Sequence, residues 1–80
     1  MWIKNQVGDL INIGRCEGIL MEEFQNGGNT EFVIRAFCSG GDRYLISSQA
    51  ETPEAEKIIE RIAKAIKSGE SLLDLAEYGM

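Results

Sequence analysis

The segment FCSGGDRYL, residues 37–45, gathers a thiol, a hydroxyl, a carboxylate, a guanidinium and two adjacent glycines within nine positions. Two chemistries use such a set: nucleophilic attack by a thiolate, and capture of a phosphate by backbone N–H groups. A phosphate-binding loop is a glycine-rich turn that feeds a helix N-terminus, with a lysine in the nucleoside-triphosphate version. Here Gly40 and Gly41 stand between TEFVIRAFC and RYLISS, two runs patterned as strands, so the spacing predicts a hairpin turn. A reactive thiolate needs an electropositive, accessible setting. Alternation instead places Cys38 on the same face as Phe32 and Ile34.

The rest of the chain offers little further reactive chemistry. It contains no histidine, the commonest general base and metal ligand. Cys16 and Cys38 are separated by 21 residues and lack the close paired spacing of a zinc site or redox motif. They read as thiols that pack as small apolar side chains. Glu22 and Glu23 are neighbours on a strand and point to opposite faces, which makes them a poor acid and base pair. The clustered spacing of a calcium loop is absent. The sequence therefore points away from an enzyme and implies no cofactor or metal.

Length and charge narrow the partners. Eighty residues suit a single small domain spanning 1–80, which buries only roughly 60% of its unfolded surface. Thirteen acidic against eight basic residues give a net charge of −5. Phosphate neutralisation supplies most non-specific affinity for nucleic acid, so this balance disfavours DNA or RNA and favours a basic protein surface as partner; self-association is the other expectation. Glu51, Glu54, Glu56 and Glu60, with Glu70, Asp74 and Glu77, concentrate negative charge around the helix ends. No apolar run approaches the ~20 residues of a membrane span. The opening MWIKNQVGDLINI reads as strand rather than export signal, so no membrane and a cytoplasmic location are expected.

The elements that position these residues follow from periodicity. Trp2 to Val7 and Leu10 to Ile13 flank the Gly8-Asp9 turn signal, and EGILMEEFQ forms a third strand with Ile19 and Met21 opposite Leu20 and Phe24. NGGN, residues 26–29, is a strong turn signal. In the strand that follows, Phe32, Ile34, Ala36 and Cys38 share one face while Val33, Arg35 and Phe37 share the other. A strand apolar on both faces is central, or covered by a helix on one side and partly by a partner on the other. In RYLISS, Tyr44 and Ile46 alternate with Arg43 and Leu45.

Thr52 as N-cap, Pro53, and early glutamates open a helix over 53–68. Ala55, Ile59, Ile62 and Ile66 form its stripe, which Ile58, Ala63 and Ala65 widen, and Gly69 closes it in the left-handed conformation. Lys57, Arg61 and Lys64 read as a solvated basic face with pairs such as Glu60 with Lys64. ESLLDLAEYGM suggests a short second helix, with Ser71 as cap. Of the aromatic residues Trp2, Phe24, Phe32, Phe37, Tyr44 and Tyr78, most are needed for the core.

Trp2-Ile3, LINI, the hairpin RAFCSGGDRYLIS and the helix EAEKIIERIAKAI together resemble a loose class of small bacterial and phage-encoded proteins. That class has a strand meander closed by one amphipathic helix. In size, acidity and an RYLIS-like strand before a helix, the chain is also similar to small acidic inhibitors carried by phages and mobile elements, of the anti-CRISPR type. The latter resemblance implies an inhibitor or regulator of a host enzyme. Four basic residues on the main helix depart from the charge pattern of a nucleic-acid mimic.

The expected architecture is α+β, a four- or five-stranded, mainly antiparallel sheet with one amphipathic C-terminal helix on one face. The expected function is a non-catalytic protein-binding module that uses the sheet's other face, with Arg35, Phe37, Glu22 and Glu23 as contacts. The alternative is a small-molecule or nucleotide-binding domain on the concave side of the sheet, with Trp2 or Tyr44 lining a pocket.

Overall fold

A computed structural model describes residues 1–76. Readings that fall on Glu77 and Tyr78 lie outside the described residues. The order is β1 (Trp2–Lys4), β2 (Leu10–Asn12), a 3-10 turn (Ile13–Arg15), β3 (Cys16–Asn26), β4 (Asn29–Cys38), β5 (Arg43–Gln49), α1 (Thr52–Ser68) and β6 (Leu72–Asp74). The α+β class stands, but the single sheet does not. Six strands form two three-stranded sheets, ordered β2-β1-β6 and β3-β4-β5.

The split has a local cause. Asn12 accepts a hydrogen bond from the Gly14 N–H at 3.0 Å, which closes the 3-10 turn and stops β2 from running into β3. Side-chain capture of a nearby backbone N–H is the usual way an asparagine diverts a chain from a ladder.

Leu72–Asp74 of the tail likewise form a strand rather than part of the expected helix. β6 runs parallel to β1, with Trp2 opposite Leu72 and Lys4 opposite Asp74. Its central residue, Leu73, is buried together with Leu75. Both leucines join one hydrophobic cluster with Ile3 and Ile11 from the first sheet, Phe32, Ile34, Ala36 and Ile46 from the second, and the inner face of α1.

The two hairpins of the second sheet form as the sequence dictates. Gly27 and Gly28 take φ of 59° and 88°, the consecutive positive values of a two-residue type I′ turn. Asn26 then pairs with Asn29, and the register runs back to Gly18 opposite Phe37. Two bulges follow. One falls between Cys16 and Gly18, and the other, opposite Ile34 and Arg35, turns both Ile46 and Ser47 inward.

In α1 the flanking position is Glu51 rather than Thr52, and no side chain caps it. Gly69, at φ 71°, closes the helix by donating its N–H to the carbonyls of Ala65 and Ile66. The buried line is Ala55, Ile58, Ile62 and Ala65. The helix is thus rotated from the expected stripe, and Ile66 is 57% exposed.

Candidate functional site

Because α1 and the first sheet contribute to the core on one side of β3-β4-β5, the other side is left open. Register places Leu20, Glu22 and Phe24 of β3 there, opposite Arg35, Val33 and Glu31 of β4. Leu45 and Arg43 of β5 lie opposite Arg35 and Phe37. Leu20, Phe24 and Leu45 are 49%, 38% and 41% exposed, whereas Val33 beneath them is buried.

Charges organise this face. The Arg35 guanidinium lies 3.3 Å from Glu22 and stands over the Phe24 ring at 5.3 Å. Arg43 approaches the other Glu22 oxygen at 3.9 Å. Each contact is weak where water reaches it. The Glu22 and Phe24 contacts leave Arg35 paired and partly exposed on the middle strand, which avoids the cost of burying it.

Phe37 is positioned by an absence. Gly18 lies directly across the ladder, and a Cβ there would come within 2.7 Å of the Phe37 ring. The ring therefore covers the bare backbone of an outer strand, the arrangement by which an aromatic side chain rescues a glycine in a sheet.

Of the four residues expected to form the contact surface, the fold brings Glu22, Arg35 and Phe37 onto one face. Glu23 does not join them. It pairs with Phe32, which puts it on the helix side of the sheet, near the hairpin end and exposed. No family model, curated protein or solved structure matches this chain.

Trp2 and Tyr44 are separated by the division into two sheets. Trp2 belongs to β1, while Tyr44 of β5 lines a depression of about 370 Å³ with Val7, Leu10 and Leu45. A second concavity, about 310 Å³, runs between the start of β3 and α1 and is lined by Ile13, Cys16, Ile19, Ile59, Ile62 and Ile66. Its rim explains why Ile66 is exposed.

The basic residues of α1 are engaged in part. Lys57 pairs with Glu54 at 3.4 Å, and Arg61 donates to both oxygens of Glu70 at 3.0 and 3.1 Å. These pairs, rather than Glu60 with Lys64, tie the helix surface. The Arg61 hydrogen bonds hold the Glu70 carboxyl below its ordinary 4.5, against the opposing push of desolvation. No helix among the described residues is long and apolar enough to cross a membrane.

Sequence reasoning missed two groups. Asn5, 2% exposed, accepts from the N–H groups of Val7 and Asp9 and donates to the Leu45 carbonyl. Gln6 accepts from the Ser47 hydroxyl and the Ser48 N–H, so this dipeptide joins the two sheets. The second group is the cysteine pair. Cys16 lies opposite Cys38, and burial, with Cys38 beside it, pushes the Cys16 thiol from 9.0 up to about 11.

Proposed function

We propose that this chain is a non-catalytic protein-binding module whose contact surface is the open face of β3-β4-β5. The observation that carries the reading is the group of exposed Leu20, Phe24 and Leu45 around the Glu22, Arg35 and Arg43 charges. An apolar patch with a fixed polar centre is the composition of a recognition surface: the apolar groups supply desolvation and the charges set orientation. The partner is a protein surface whose charges complement the Glu22, Arg35 and Arg43 centre. Inhibition or regulation of a host enzyme, as the resemblance to phage-encoded inhibitors implies, is the role such a module serves.

The test combines solution mass with affinity capture from lysate of the native host at two salt concentrations, for the wild type, Phe37→Asp and Arg35→Glu. Binding through this face is lost in both variants and weakened at high salt for the wild type. If both variants are folded and keep the wild-type mass and every captured protein, the face is not the binding surface.

A ligand-binding role is favoured by a different observation, the apolar groove of about 310 Å³ between β3 and α1, which has the size of a small-molecule site. A thermal-shift screen against metabolites and nucleotides separates the two, since a ligand bound only by the native state raises the melting temperature.

A further inference from the structure

Cys16 and Cys38 face each other across the β3-β4 ladder, and both are free thiols, half-buried. Cys38 donates its N–H to the Asp42 carbonyl and accepts from the Gly41 N–H. Both of its backbone groups thus point away from β3, which makes Cys16 and Cys38 a non-hydrogen-bonded pair. At such positions antiparallel Cα atoms lie about 4.5 Å apart and the side chains are at their closest. A disulfide spans Cα separations of roughly 4.4–6.8 Å, and beside the bulge the two thiols are already near enough to interact directly.

From this geometry we infer that Cys16 and Cys38 form a reversible cross-strand disulfide, made by exchange with a small-molecule disulfide. Cys16 directs its thiol at the Asn12 carbonyl, 3.7 Å away, and packs against the core, which leaves Cys38 beside the exposed 39–42 turn to react first. The Cys38 thiolate attacks one sulfur of the small disulfide, forming a mixed disulfide and releasing one small thiolate, which takes up a proton. The Cys16 thiol then loses its proton and attacks the Cys38 sulfur, and the second small thiol departs. Two protein thiols and one small disulfide become one protein disulfide and two small thiols; a reducing thiol runs the steps backwards.

The bond clamps the end of β4 to the start of β3 across the bulge at Glu17, in the wall of the groove that Cys16 lines. It also fixes the backbone next to the Gly18–Phe37 pair, so the open face and the groove wall share a covalent anchor.

The test uses the whole reduced chain titrated with oxidised glutathione, quenched with acid and read by intact mass, with alkylation before and after reduction. The expected product is a monomer lacking two hydrogens, resistant to alkylation, with a melting temperature higher by on the order of 10 °C. Cys16→Ser stops at a glutathione adduct on Cys38. Phenylarsine oxide, which needs two adjacent thiols and no oxidant, bridges the native wild type. The inference is overturned if native wild type remains a dithiol where the urea-unfolded chain oxidises, or if it accumulates adducts on both cysteines or intermolecular dimers. An oxidised monomer that melts below the reduced one, or failure of the arsenical to bridge, overturns it equally.

Discussion

Asn5→Ala is the perturbation for which the structure sets the clearest magnitude. The side chain makes three hydrogen bonds, to Val7 N–H at 3.1 Å, Asp9 N–H at 2.8 Å and the Leu45 carbonyl at 2.8 Å. Each contributes about 1 kcal/mol net, and water can replace only those at the exposed turn, so a loss of about 2–3 kcal/mol is expected. A chain of 80 residues has roughly 4–12 kcal/mol of stability in total. The loss is therefore a large fraction, equivalent to about 10–20 °C in melting temperature. Urea denaturation followed by circular dichroism gives the value, with Val7→Ala, at a 63% exposed position, as the control expected to change stability by under ~0.5 kcal/mol. Amide exchange adds a local readout, because Val7 and Asp9 should lose protection before the β3-β4 ladder does. If Asn5→Ala is no more destabilising than Val7→Ala, the inter-sheet clamp has been misjudged.

Two further outcomes follow from other contacts of the fold. Gly18→Ala places a Cβ within 2.7 Å of the Phe37 ring and should cost about 1–3 kcal/mol as the ring is displaced, with recovery in the Gly18→Ala/Phe37→Leu double variant. Absence of that recovery in a double-mutant cycle would mean the ring does not cover the glycine. Glu70 has a depressed folded-state pKa, so its contribution is present above pH 4.5 and is lost as pH falls through the lower folded value. Glu70→Gln should therefore flatten the acid limb of the stability curve, and an unchanged limb would show that the Arg61 pair contributes nothing there.

Much of the open face was legible from one turn. Once Gly27 and Gly28 are taken as a two-residue hairpin, counting outward places Leu20 opposite Arg35 and Glu22 opposite Val33, as the register has them. The same count assigns Glu23 to the other face. It fails at Cys16, which it places opposite Ser39, because the bulge before Gly18 shifts the ladder by one residue. Bulges are set by packing at a sheet's margin and leave no strong local signature.

The division into two sheets was hidden for a related reason. Asn12 looks like an ordinary strand-end residue, and its bond to the Gly14 N–H is one choice among several for an asparagine. SLLDLA offered a helical spacing through Leu72, Leu75 and Ala76 and an alternation through Leu73 and Leu75. Over so short a run only the available partner, the free edge of β1, decides between them. Asn5 escaped notice because polar residues near a Gly-Asp turn usually face water.

The parallel pairing of β1 with β6 bears on how the chain is made. β1 is the middle strand of its sheet, yet the parallel partner on one side is separated from it by 70 positions, from Trp2 to Leu72. The β3-β4-β5 meander is built from local hairpins and can pair as it leaves the ribosome, while the first sheet must wait until Leu72–Asp74 have been translated. During that interval the edge of β1 is an open template for any extended segment nearby, including the same strand of another nascent chain. The turn at Gly69 and Glu70, which delivers β6 to that edge, therefore governs whether newly synthesised copies close on themselves or on one another.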